Sequence, residues 1–494
     1  MDTVWVLGDQ LNRSTGALAA AHPDTTRILM VESADKTSNK PFHRQQIHLI
    51  VTAMRRFAAE LADEGFAVDY RKEPSLKAGC EGHVRDHRPD TVRAAEPASR
   101  SATALLSSLG VEMVRDDRFL CHYSDFAAWA DGRTRLRMED FYRWQRRRLG
   151  YLMDGNEPVG GRWNFDADNR EPPPADGGSF PEPVVDILDD LDREVMAAIS
   201  ATATGAAPTG LWATDRAGAL RRLAHFVDVV LPDFGAHEDA MLRNDWHLAH
   251  SLLSPYLNIG LLLPGEVCDA VEAAYRAGRV PINSAEGFIR QVIGWREFIW
   301  GIYWLWPDHS GRNVLGNNRP LPPVFSGAAA TDMRCVAATV GDVDQRAWTH
   351  HIPRLMILAN LANLIGVQPS AVVEWMWSQF VDGAEWVMIP NVIGMGMWAD
   401  GGAMSTKPYV SGGAYINRMS DYCGGCRFNP RLRTGETACP FTSLYWDFIA
   451  RHADLLGSNP RMARAVRSFE RLSDGEATRA RAAEVIDGLM AGRL

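Results

Sequence analysis

The chain has 494 residues, 46% of them hydrophobic, and a formal net charge of −9. That length predicts two or more domains, and the acidic balance excludes general affinity for a nucleic-acid backbone while leaving room for a local basic patch. No apolar run nears the roughly 18 residues of a membrane span, and the start lacks a basic region followed by an apolar stretch, so a soluble cytoplasmic protein is expected.

Thr3–Leu7 reads as a short apolar strand and Arg27–Val31 as a second one. A helix follows with apolar positions from Ile47 to Leu61. Phe66–Tyr70, Thr91–Ala95 and Val111–Val114 read as further strands, with a helical pattern at Ala102–Leu109. Strands alternating with helices predict a parallel sheet covered on both faces, so residues 1–125 are expected to form a Rossmann-like α/β domain. Gly8 lies just past the first strand, where open α/β sheets place their ligands. A lone glycine is not a dinucleotide fingerprint, and the position reads either as a pocket for a small chromophore or nucleotide or as a simple turn.

Residues 126–204 read as a connector. Seven arginines crowd Arg133–Arg148 against Glu139 and Asp140, interleaved with Phe141, Tyr142 and Trp144. Such a run is either a solvated helix or a surface for nucleic acid. The stretch Glu171-Pro-Pro-Pro-Ala-Asp-Gly-Gly, continuing to Pro183, reads as linker. From residue 205 to 494 the pattern is helical. Ala217–Val230, Gly265–Ala277, Ala285–Trp304, Ile352–Leu364 and Ser370–Phe380 carry apolar residues three and four apart, predicting a large all-α domain.

Seven cysteines in such a chain do not make a disulfide scaffold. Cys423-Gly-Gly-Cys426 followed by Cys439-Pro440 has metal-ligand spacing, with Cys335 the natural fourth ligand. Four thiolates suit zinc or a [4Fe-4S] cluster; the Cys-Pro step and the lack of a second close pair favour the cluster over zinc and over a redox dithiol. Cys80, Cys121 and Cys268 read as core thiols. No coiled-coil or repeat signal suggests more than a monomer.

A second constellation runs in fixed order through the helical part. It comprises His237-Glu-Asp239, Ser251-Leu-Leu-Ser254-Pro, Gly294-Trp295-Arg296-Glu297-Phe298, His350-His351-Ile-Pro-Arg354-Leu-Met356, and Phe380-Val-Asp382-Gly383 through Asn391. Small hydroxyls at a helix start beside a guanidinium suit a pyrophosphate. Each segment alone is a common cap or ion pair. In combination they resemble the photolyase/cryptochrome superfamily. The cysteines and the opening Leu7-Gly-Asp-Gln-Leu11 make the chain similar to its iron–sulfur bacterial group, which includes prokaryotic (6-4) photolyases.

The resemblance covers essentially the whole chain and implies an antenna domain, a linker and a catalytic domain that binds FAD and a [4Fe-4S] cluster. It implies that Ser251, Leu252 and Ser254 lie by the FAD phosphates, with Trp295, Arg296, Arg354, Asp382 and Asn391 about the folded cofactor. Where plainer relatives carry a second acid after the first, this chain has Ala384 and then Glu385. Adjacent histidines on a helix point about 100° apart, and the resemblance makes His351 the catalytic acid, with His350 its support. Tyr409 and Tyr415 would line the lesion pocket and Trp375 would carry electrons. Gly8, Asp9, Gln10 and Glu32 would hold an antenna, 6,7-dimethyl-8-ribityllumazine. The implied activity is light-driven repair of (6-4) photoproducts in UV-damaged DNA, with DNA meeting the arginine-rich stretch and basic residues around the pocket mouth. A photoreceptor without repair, and a zinc-stabilised nucleic-acid-binding protein without photochemistry, are the alternatives.

Overall fold

Val4, Trp5 and Val6 are apolar in succession, so a strand built from them is buried on both faces and must lie inside a covered sheet. In the computed structural model, which describes residues 1–174 and 177–494, this strand, β1 (Asp2–Val6), is central. Around it lie β2 (Thr26–Ser33), β3 (Ala67–Glu73), β4 (Val92–Ala95) and β5 (Glu112–Val114). The order is β3-β2-β1-β4-β5, and every pairing is parallel, with Val4 opposite Ile28, Ile28 opposite Val68, Thr3 opposite Val92 and Ala94 opposite Met113. The helix Arg44–Asp63 packs against β2 and β3; its start is capped by His43, whose side chain accepts from Gln45 N. The helix Leu76–His87 covers the opposite face, where Cys80 packs with Trp5, Leu29 and Val31.

The connector is more ordered than its composition suggests. A helix, Asp190–Ala198, begins with a capping box on Asp189 and packs on Arg44–Asp63, where Arg56 reaches both Asp189 and Asp192. The Ala175-Asp176 part of the linker reading lies outside the described residues. The arginine-rich segment is also largely structural. Arg146 is buried and donates to the carbonyls of Tyr151, Trp163 and Leu152. Arg143 pairs with Glu139, Arg148 holds Gln145 and the Leu120 carbonyl, and Arg133 holds the Trp129 carbonyl.

Helices fill the remainder. The long periodic stretches are interrupted at telling places: wide π-helical turns occupy Phe226–Val230, Arg290–Arg296, Pro353–Ala359 and Asn391–Gly396. Three of them carry Trp295-Arg296, Arg354 and Asn391. Such turns push side chains out of the regular helical ladder and recur at functional sites.

The sheet body and the helical body share a core in which Val4, Val6 and Leu11 pack with Tyr256, Leu257 and Ile259. Polar bonds fix the seam: Leu11 N donates to Ile259 O at 2.9 Å and Asn12 Nδ2 to Gly260 O at 2.9 Å. On the helical side, Gly301 faces the ring of Phe126, and a Cβ there would lie 2.1 Å from its Cγ. Gly301→Ala should therefore overpack this contact and cost about 1–3 kcal/mol, seen as a lowered thermal midpoint.

Candidate functional site

The site is built around one carboxylate. Asp382, 8% exposed, accepts from Arg354 Nη1 at 2.9 Å on Oδ1, and from Arg354 Nη2 at 3.1 Å and Ser254 Oγ at 2.7 Å on Oδ2. Asn258 Nδ2 holds the Asp382 carbonyl at 3.0 Å. Gln46, from the sheet body's helix, donates to Gly383 O at 2.9 Å and Trp377 O at 3.2 Å. A Cβ at Gly383 would sit 2.2 Å from that Trp377 oxygen, so the Asp-Gly turn requires glycine. Arg354 also stacks on Phe380, 4.1 Å from the ring centre.

Ser254, expected at a phosphate, is thus committed to Asp382. Ser251 and Leu252 line a partly open pocket together with Arg222, His225, His247 and His250. Leu252 has φ of +56°, a strained conformation for a branched residue and one that marks functional segments. Arg296 lies farther along. Its guanidinium reaches Leu257 O, Arg118 O and Glu297, rests over Phe119 and Trp386, and keeps a buried Nε without a partner. Its neighbour Glu297 is pushed up to about 7 by burial against the pull of Arg296. Trp295 is half-buried beside Phe298, and Asn391 donates to Val387 O at 2.9 Å. Glu385 accepts from Tyr303 at 2.9 Å and so does not replace the missing second acid.

The histidines form a second focus, which includes one the sequence reading passed over. His250 stacks on His350 with ring centres 4.3 Å apart and planes 20° from parallel, and His351 meets both edgewise. The three offer nitrogens within 4.8 Å of one another, but stacked rings aim their in-plane lone pairs side by side, which is not a metal tripod. His250 Nε2 and His350 Nδ1 are buried without partners, and burial drives both imidazoles well below their usual range. His351 differs. Half its side chain is exposed (49%), and its Nε2 is 3.3 Å from Asp239 Oδ1. Burial works against its charge, but the hydrogen bond and charge of Asp239, with Glu238 behind, hold it above the usual range. Glu238 is itself raised to about 7 by burial, with Asn169 and Gln291 donating to its oxygens. Tyr409 and Tyr415 both lie within electrostatic reach of Asp239 and Arg170, with Arg418 over the Tyr415 ring at 5.5 Å.

Cys335, Cys423, Cys426 and Cys439 converge on a small, largely apolar pocket with Met333, Ile416 and Phe428. Burial raises the Cys335, Cys423 and Cys439 thiols, Cys423 to about 12, and the neighbouring sulfurs raise them further. Cys80, Cys121 and Cys268 are buried elsewhere.

Of the four antenna positions, two are occupied with internal bonds. Gln10 donates to Ala95 O and Glu96 O, and Glu32 is gripped by Arg55 and Tyr70. Gly8 lies against Met54. Asp9 keeps its carboxylate open, with Arg118 Nη1 at 3.7 Å, and burial raises it. Trp375 donates its Nε1 to Phe325 O at 3.0 Å in the core.

The model of the family described as deoxyribodipyrimidine photo-lyase-related protein matches residues 4–207. A (6-4) photolyase from Agrobacterium fabrum is 43% identical over 487 residues, covering 95% of this chain and 96% of that protein. The fold is similar to that of a bacterial class III photolyase from Agrobacterium tumefaciens, with a TM-score of 0.57 at 16% identity over 99% of this chain and 96% of that one. It is also similar to a cryptochrome from Synechocystis sp. PCC6803, with a TM-score of 0.53 at 13% identity over 96% and 93%.

Removing Arg354 strands a buried carboxylate. Arg354→Ala should cost about 3 kcal/mol, the low end for breaking a buried pair, measured by denaturant unfolding.

Proposed function

The chain belongs to the photolyase/cryptochrome superfamily, within its photolyase-related family, and from that premise we propose that it is a light-driven (6-4) DNA photolyase. One observation carries the reading beyond the family. At the opening framed by Tyr409 and Tyr415, only one of three clustered imidazoles has a carboxylate partner and an exposed face, and that one is His351.

The residues fit FAD. Buried nitrogens of His250, which lines the pocket with Ser251 and Leu252, and of Arg296 lack partners, so donors for a polar cofactor are present. Ser251, Leu252, Arg296, Arg354, Asp382 and Asn391 would hold the cofactor, with Ser254 positioning Asp382. When bound, FAD supplies the light-driven electron that opens the lesion. The Cys439-Pro440 step and the lack of a second close pair favour a cluster over zinc. Cys335, Cys423, Cys426 and Cys439 would hold a [4Fe-4S] cluster that ties residue 335 to the 423–439 segment. For 6,7-dimethyl-8-ribityllumazine the remaining polar handle is Asp9 beside Gly8, with Gln10 and Glu32 shaping the floor.

The protein's own part is to bind, orient and protonate. Tyr409 and Tyr415 offer ring faces to a flipped-out base pair, and Arg418, Arg461 and Lys407 form a basic rim for the flanking phosphates. Asp239 holds Nε2–H of His351, which leaves Nδ1–H to be given to the lesion as the hydroxyl moves between bases. His250 and His350, kept neutral by burial, do not compete for that proton.

The test is an oligonucleotide carrying one (6-4) lesion, incubated with flavin-loaded protein in light and in darkness. Light-dependent restoration is expected, and His351→Ala should lose about 10²-fold or more of it. A chain with reduced flavin that leaves the lesion untouched in light overturns the proposal. Because Asp239 raises the His351 imidazole, the protonated donor persists above the ordinary histidine range and is lost as pH rises through its pKa. Asp239→Asn should accordingly move the alkaline limb of the repair profile to lower pH. Separately, iron and acid-labile sulfide should be present in the purified protein and lost in Cys335→Ser.

A further inference from the structure

A polar group inside the sheet body is only half explained by its hydrogen bonds. His83, on the helix Leu76–His87, is fully buried and bridges two strands. Its Nε2 lies 2.8 Å from Thr3 Oγ1 on β1, and its Nδ1 lies 2.7 Å from Asp69 Oδ2 on β3. His87, one turn later on the same helix, brings a second imidazole to that oxygen. Its Nε2 stands 3.3 Å away, long for a charge-assisted hydrogen bond, and its side chain is 30% exposed. The three ligand atoms lie within 4.8 Å of one another. The planes of His83 and His87 are inclined at 51°. Unlike the stacked rings of His250 and His350, they can therefore aim their lone pairs at a common centre. Two histidines four apart on a helix share a face, which is the spacing that holds zinc in helical sites.

We propose that Asp69, His83 and His87 form a binding site for a divalent transition metal of the zinc type, which pins their helix to β3 and, through Thr3, to β1. It stands apart from the flavin reading. Bonds of about 2.0–2.1 Å to nitrogen and oxygen set tetrahedral ligands about 3.3 Å apart. His87 and Asp69 already have this separation. The 2.7 Å contact of His83 with Asp69 must open by about 0.6 Å. No proton has to leave, because His83 can change tautomer. Nδ1 then gives up its hydrogen to face the metal, Nε2 carries one instead, and the Thr3 hydroxyl turns from donor to acceptor. Arg71 also holds Asp69 Oδ2, at 2.7 Å, and reaches Asp86 at 2.8 Å. A carboxylate has about four lone-pair sites, so the one that His83 vacates is open to the metal while Arg71 stays. Water takes the fourth position on the exposed His87 side. Thr3 and Asp69 lie toward the starts of their strands, away from the carboxyl ends where open α/β sheets place ligands. The metal is a clasp, separate from the pocket at Gly8.

The experiment titrates zinc chloride into the purified full chain against a chromophoric chelator and counts bound zinc by elemental analysis. The same is done with His87→Ala, His87→Asn, Thr3→Val and His351→Ala. Wild-type protein should hold one zinc that both His87 variants bind at least about tenfold more weakly, and Thr3→Val should weaken it by about 10- to 100-fold. X-ray absorption at the zinc edge should show nitrogen and oxygen neighbours of that ion, without sulfur. Zinc should raise the thermal midpoint of the wild type and leave that of His87→Ala unchanged. His87 ends its helix at the surface, so both of its variants should keep the zinc-free midpoint, which is measured alongside. No zinc uptake, zinc bound by sulfur alone, or uptake unchanged in both His87 variants would overturn the site. Uptake lost in His351→Ala and kept in the His87 variants would overturn it too, by placing the ion at the other three histidines. Wild-type affinity in Thr3→Val would overturn the tie to β1.

Discussion

The ion pair between Arg354 and Asp382 organises the molecule. A buried carboxylate is tolerable only when charge and hydrogen bonds replace its water, and here the replacements come from separated parts of the chain. Ser254 starts one helix and Arg354 sits in a wide turn of another. Asn258 and Gln46 fasten the turn's backbone, Gln46 from the other body. The carboxylate is satisfied only when the helices of Ser254 and Arg354 are docked together, and Gln46 ties the adjoining turn to the sheet body.

The same economy of charge separates the three histidines. Two stacked, buried rings without carboxylate partners stay neutral, while the third leans outward to Asp239. Burial and pairing thus give neighbouring imidazoles different work, as environments do for paired carboxylates in acid–base catalysis. The four cysteines show the converse. Burial and the neighbouring sulfurs raise the Cys335 and Cys423 thiols, so as thiolates they need a cationic centre beside them.

Much of this was legible in the sequence. Apolar strands alternating with helices disclosed the parallel sheet, since both faces of β1 and β2 had to be covered. The cysteine spacing disclosed its pocket, and the ordered segments singled out Arg354 and Asp382, which the structure brings into contact. What was hidden depended on contacts distant in sequence. Ser254 could not be known to spend its hydroxyl on a residue 128 positions away. Gln10 and Glu32 looked like free polar ends and prove to be internal fasteners. The arginine-rich run was polar in composition, yet Arg146 is buried by carbonyls it organises. His250 carried no local signal, because its meaning comes from a ring 100 residues on.

All of these interpretations require that the helical body hold a flavin between the Ser251 cavity and the Asp382–Arg354 pair. The absorption spectrum of the purified protein tests this most directly. The account predicts the structured near-ultraviolet and blue bands of bound flavin, with FAD released on denaturation in about equal amount to protein, as a single site requires. A folded, colourless protein that takes up no added FAD would contradict it.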